Sequence, residues 1–193
     1  MRARHVLVGS TVTLLAFAGL PAIAQAAPVV PARAVLAAHE FPAGTTGYSV
    51  RSEVGEPAGE LISDTACGAA EHRVDKALAG AHSTDAKARR GALDLETSVI
   101  ERPMATVMRD VITTCSAKLR YGTRAIVKPL PADLSRHQGF TVSTGDNQTL
   151  IAVVEVRGAS VGVQVEGTST APADAAVFWQ LVRAQVAKVE RQP

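Results

Sequence analysis

The sequence predicts an α+β domain, with an antiparallel sheet of about five to six strands, helices packed against it and one disulfide. Three observations carry this. Short alternating runs follow one another at hairpin spacing between residues 124 and 166, the pattern of antiparallel strands. Two amphipathic stripes, one opening at Pro103 and one at Pro172, have the helical repeat and need a sheet to cover them. The chain has only two cysteines, Cys67 and Cys115, behind an export-type leader, which suggests one bridge.

The elements are read in order. Residues 1–26 fit a secretory signal peptide: Arg2, Arg4 and His5 precede an apolar stretch from Val6 to Leu20, Pro21 breaks it, and Ala24-Gln25-Ala26 offers the small-x-small cleavage pattern. The apolar stretch falls short of the roughly 20 residues needed to span a bilayer. Cleavage after Ala26 would leave 27–193 as a single exported α+β domain, with no later segment that could span a membrane. Pro28 and Pro31 punctuate the new start, and Ala32 to His39 reads as a short helix. Tyr48 to Glu53 alternates as a first strand, and Gly55, Pro57 and Gly59 mark a loop. Ser63 or Asp64 is placed to cap a helix that runs to about Ala79 and stops at Gly80. Ala81 to Gly91 is polar and reads as a loop with helical tendency, and Leu93 to Val99 alternates as a half-buried strand.

Met104, Val107, Met108, Val111, Ile112 and Cys115 form one continuous helical stripe, so Cys115 points inward. Past Tyr121-Gly122 the period becomes that of strands: Arg124 to Lys128, Gly139 to Thr144, Thr149 to Arg157 and Ser160 to Glu166, with turns at Gly145-Asp146-Asn147 and Gly158-Ala159. The last helix opens at Pro172, with Ala175, Phe178, Trp179, Val182, Val186 and Val189 on one face. Lys188 and Arg191 lie near its C-terminal end, where cations suit the helix dipole.

Composition excludes several classes. The chain has 20 Lys and Arg against 18 Asp and Glu, and the leader holds two of the cations, so the mature chain is near neutral. Aromatic residues make up 4%. No basic, aromatic-lined surface for nucleic acid is expected. Cys67 and Cys115 lack C-x-x-C spacing, and only His72 lies near either, which favours a structural bridge over redox or zinc chemistry.

One motif resembles a catalytic one. Gly158-Ala159-Ser160-Val161-Gly162 matches the G-x-S-x-G nucleophile elbow. That elbow requires a helix after the serine, and here an alternating valine run follows, so Ser160 reads as a hairpin serine. His39, His72, His82 and His137 form no metal-ligand spacing, and no cofactor-binding motif is present. Asn147-Gln-Thr fits a glycosylation acceptor. Of the adjacent Phe178 and Trp179, both are expected in the core, with one able to border a pocket.

Several segments together carry a resemblance. They are Ala34-Val-Leu-Ala-Ala-His-Glu-Phe-Pro-Ala-Gly with Gly47-Tyr48 after it, Cys67, a helical Cys115, the run at 154–158 before a valine-rich strand, and a last helix ending Val186-Ala-Lys-Val-Glu. In this order they resemble the small secreted proteins and lipoproteins of mycobacteria and related actinobacteria, and are similar to the extracellular sensor domains of some membrane Ser/Thr kinases. The resemblance implies an α+β fold with a disulfide and a ligand-sensing groove, and no catalytic residues. This chain differs in having no anchoring cysteine before Cys67, no kinase and a single cysteine pair. The expectation is an exported, non-enzymatic, sensor-like binding module of the cell envelope, holding a small or amphipathic ligand or an envelope protein. The alternatives are an envelope hydrolase with an unrecognised constellation and a structural envelope protein that binds a protein partner.

Overall fold

A computed structural model describes residues 27–61, 63–115, 125–144, 148–168 and 170–193. The expected signal peptide at 1–26, the break at Tyr121-Gly122, and the turn and glycosylation acceptor at 145–147 lie outside the described residues.

Among the described residues seven strands form one antiparallel sheet: β1 (Thr46–Val54), β2 (His82–Arg90), β3 (Leu93–Ile100), β4 (Ile126–Lys128), β5 (Gly139–Thr144), β6 (Thr149–Val156) and β7 (Ala159–Glu166). Their order across the sheet is β1-β2-β3-β7-β6-β5-β4. Two meanders, β1-β2-β3 and β4-β5-β6-β7, therefore meet where β3 pairs with β7, Thr97 opposite Val163. The α+β class holds, but the strand count is seven rather than five to six. The added strand is β2, read from sequence as a loop. Its core-facing residues are Thr84, Ala86 and Ala88; the two alanines lack the β-branched signal of a strand and one threonine does not make an alternating run, while Lys87-Ala-Arg89-Arg90 reads as helical.

The described residues also form four α-helices: α1 (Pro31–Ala34), α2 (Ala66–Leu78), α3 (Ala105–Cys115) and α4 (Ala175–Glu190). The expected helix over 32–39 is instead one α-turn followed, after an extended Leu36-Ala37 step, by a 3-10 turn at Ala38–Glu40. Thr65, not Ser63 or Asp64, caps α2, its hydroxyl accepting from the Gly68 N–H at 3.1 Å. The β6–β7 turn is Arg157-Gly158, one residue earlier than expected; both have positive φ, 54° and 78°, the geometry of the hairpin turn that matches strand twist.

The two sheet faces are covered differently. On one, α4 and the N-terminal segment close over Leu95, Val99, Val154, Val161, Val163 and Val165. Val177, Phe178, Leu181, Val182, Val186 and Val189 of α4 are buried there, while Ala175 is exposed and Trp179 only half-buried. Asp174 caps that helix, its Oδ1 accepting from the Ala176 and Val177 N–H groups. On the other face α3 lies over β5 and β6, with Met108 and Ile112 against Phe140, Val142 and Val153. The β6–β7 hairpin seats α3 with two acceptors. Ser160 Oγ takes the Met104 N–H at 2.6 Å and its cross-strand partner Glu155 takes the Ala105 N–H at 3.0 Å, satisfying donors that a helix start leaves free. Helix α2 lies antiparallel along α3. The Cys67–Cys115 disulfide joins them at one end, and Arg102 donates to the Ala77 and Ala79 carbonyls at the other.

Candidate functional site

The N-terminal segment, residues 27–42, is a strap fastened to the sheet by the last helix. Its apolar side chains alternate with proline: Val29, Pro31, Ala34, Val35, Leu36 and Phe41 are buried, while Val30, Ala32 and Arg33 face out. A proline-punctuated chain is extended and leaves backbone groups without helix or sheet partners. Two glutamines supply them. Gln185, wholly buried on α4, accepts from the Leu36 N–H at 3.0 Å and donates to the Ala34 carbonyl at 2.7 Å. Two helical turns on, Gln192 accepts from the Val30 N–H at 3.0 Å and donates to the Val30 carbonyl at 3.3 Å.

Between them Lys188 pairs with Glu40. Burial works against the charged Glu40 carboxyl, but the Ala37 N–H and Lys188 outweigh it and hold the pKa below the ordinary 4.5. Arg157 closes the ends together, donating to the carbonyls of Ala27 at 3.0 Å and Pro193 at 3.2 Å. Tyr48 joins strap to sheet, its hydroxyl donating to the Leu36 carbonyl at 2.9 Å.

Where the strap begins, it stands clear of the β1–β2 end of the sheet and leaves an open groove of about 430 Å³. Pro28, Val30, Pro31, Ala32 and Val54 make an apolar part; Val30 and Val54 are 46% and 53% exposed, high for valines in a folded chain. Ser52, Thr84, His82 and Glu101 supply the polar groups. Their positions are fixed: the Ser52 and Thr84 hydroxyls lie 2.8 Å apart across the strand pair, and the Glu101 carboxylate accepts the His82 N–H at 2.9 Å. Glu101 has no cationic partner among the described residues. A volume within the roughly 300–1,000 Å³ of small-molecule sites, with apolar walls and a few fixed polar groups, suits binding.

The opposite face of the β1–β3 half carries a different cluster. Burial pushes the Asp85 carboxyl above its usual range, and Glu96 and Glu53 add to this while Lys87 and Arg51 oppose it. Lys87 pairs with Glu96 at 3.0 Å and Arg89 with Asp94 at 2.7 Å. These cross-strand pairs account for each other's charges, and with Gly47, Gln164 and Glu166 they line a depression of about 330 Å³.

Cys67 and Cys115 are bonded to each other, with Cα atoms 5.0 Å apart. Among the described residues, the one group of metal-type ligands within mutual reach is Cys67, Glu71 and Cys115, and the disulfide takes both sulfurs. Ser160 is buried in β7 and shares no contact with a histidine; its hydroxyl serves α3. His137 Nε2 lies 3.1 Å from Glu190 Oε1 without hydrogen-bond geometry, His39 sits in the 3-10 turn and His72 on α2. Of the four histidines only His82 lines the groove. Phe178 is in the core; Trp179 stacks edge-on against it at 4.9 Å and under Arg183 at 5.7 Å, away from the groove. The groove residues carry no motif. The one signal in the sequence is Pro28-Val-Val-Pro31, two valines where a solvated linker would be polar.

No family model, no curated protein and no solved structure matches this chain. Among the described residues no helix is long and apolar enough to cross a membrane; the disulfide is compatible with a protein that works outside the cytoplasm.

Proposed function

We propose that the chain is an exported, non-enzymatic binding module that holds a small amphipathic ligand in the groove between strap and β1–β2. The observation that carries the reading is the pairing of solvent-facing Val30 and Val54 with the fixed polar set of Ser52, Thr84, His82 and Glu101 in one concavity. Exposed apolar side chains gathered in a groove mark a binding surface more often than scattered ones do. The charge of the polar end selects among ligands. A carboxylate without a cation beside it favours a cationic or hydrogen-bond-donating head group over an anionic one, with the ligand's apolar part against Val30, Pro31 and Val54. The export reading rests on the leader and the cysteine pair, and the sensor-like role on the resemblance described above.

The test uses two probes of equal chain length, dodecyltrimethylammonium and dodecyl sulfate, titrated below their micelle concentrations and followed by calorimetry. The expected result is saturable one-site binding of the cationic probe, weakened by about tenfold or more in Glu101→Gln. Equal binding of both probes, or binding that Glu101→Gln leaves unchanged, contradicts the assignment of the polar end.

A further inference from the structure

The two edges of the sheet differ. Strand β4 is three residues long, ends at Lys128 and is followed by Pro129 and Pro131, features that keep an edge from recruiting another strand. Strand β1 has none of these. It is nine residues long, every one of them exposed, and among the described residues it pairs on one side only. A register shift between Thr46 and Ser49 disturbs its start, leaving Ser49–Val54 as a regular run opposite Lys87–His82.

The backbone direction along that run follows from its end. The Gly55 N–H donates to the Ala81 carbonyl at 2.9 Å, and the Gly55 carbonyl accepts from the Gly80 N–H at 2.8 Å. Gly55 thus turns its main-chain groups toward β2. Because these groups alternate along an antiparallel strand, Val54, Ser52 and Val50 direct theirs outward.

We infer that this edge pairs antiparallel with the same edge of a second copy of the chain, about a two-fold axis through Ser52. In that register Val50 lies opposite Val54 of the second copy, Arg51 opposite Glu53, and Ser52 opposite itself. The outward N–H and C=O groups of Val50, Ser52 and Val54 meet their counterparts, and each copy's Arg51, 80% exposed and 3.2 Å from its own Glu53, faces the other's Glu53 as well. The register is set by complementarity. Moving the axis to Val50 puts Arg51 against Ser49 and replaces the two Val50–Val54 pairs with a single Val50–Val50 one; moving it to Arg51 sets two guanidinium groups against each other. Only the Ser52 axis satisfies both faces at once. On the strap face, Val50 and Val54 are 49% and 53% exposed, and pairing covers both. An isologous contact of this kind closes as a dimer. Ser52 and Val54 also line the groove, so the second copy's β1 would border it; the inference concerns the strand edge and does not require the groove to hold a ligand.

The experiment measures the mass of the mature, oxidised chain by sedimentation up to about 100 μM, a concentration that populates even a dimer of ~10 μM Kd. A dimer is expected. Arg51→Glu and Glu53→Arg each weaken it by about tenfold or more, since each places two like-charged pairs across the axis. The double exchange R51E/E53R restores it, because the swapped charges again face opposite partners. Both sites are exposed, and thermal melts of each variant verify folding. Ser52→Cys gives a cross-linked dimer under mild oxidation, since residues paired this way sit about 5.5 Å apart at Cα, within disulfide range. A monomer throughout, a dimer indifferent to the single reversals, a double exchange that fails to restore it, or a dimer that Ser52→Cys does not cross-link each overturns the inference. Probe binding in the groove is read separately and does not decide it.

Discussion

The strap and the α2–α3 pair are both attached to the sheet's faces, and they are held by different physics. The strap is stitched by hydrogen bonds from one helix. Gln185 and Gln192 each answer both a backbone donor and a backbone acceptor, and Val29, Val35 and Leu36 sink into the main core. Helix α2 makes no comparable core. Only Cys67 and Ala70 are buried along it, its first turn is bonded to α3, and the rest is held by the exposed Arg73–Asp110 pair and by Arg102 on the Ala77 and Ala79 carbonyls. An extended segment with exposed amides needs specific partners to stay down. A short helix satisfies its own backbone and needs only an anchor. The groove lies beside the stitched element, where side-chain brackets fix the wall without filling the space next to it.

The largest expected effect is on the anchored pair. Replacing both cysteines (C67S/C115S) should destabilise the protein by about 4 kcal/mol, the chain-entropy value for a loop this long, with hydrogen exchange rising across α2 and its preceding loop first. Exchange that rises first in the strap would contradict the division drawn here. Next in size is Gln185→Leu. It leaves the Leu36 N–H and Ala34 carbonyl buried without partners, at a cost of roughly 2–3 kcal/mol in chemical denaturation. Gln192→Ala, at the exposed end of the same ladder, should cost only about 0.5–1 kcal/mol, and equal costs for the two would break the account of a ladder pinned at its buried rung.

The smallest effect depends on pH. Because the folded Glu40 carboxyl sits below 4.5, its link to Lys188 and the Ala37 N–H stabilises the strap above that value and is lost as pH falls through the depressed one. Strap amides should therefore lose protection, relative to the intrinsic exchange rate at each pH, as the wild type is acidified, and the loss should be smaller in Glu40→Gln.

Much of this architecture is legible in the residues. The stripe from Met104 to Cys115 gives a helix, and the alternating valines of β7 behind Gly158 give a hairpin, its turn one residue earlier than the sequence places it. The two cysteines give the bridge. What escapes local reading is whatever tertiary contact decides. Strand β2 is written in Thr84, Ala86 and Ala88 because the strap lies close above it, and small residues there outweigh strand propensity. Gln185 looks like a surface residue until its amide is seen bracketing a segment about 150 positions earlier. The groove is assembled from residues 28–32, 52–54, 82–84 and 101, which no short motif can join.

The decisive measurement is binding of the fluorescent apolar probe N-phenyl-1-naphthylamine to three forms of the chain: wild type, V30D/V54D and C67S/C115S. If the groove beside the strap is the site, the wild type and the disulfide-free form bind with the same Kd, at a temperature where both are folded, and V30D/V54D weakens binding by at least about tenfold. Probe binding that survives V30D/V54D, or that vanishes with the disulfide while the fold is intact, would place the site elsewhere and contradict the account.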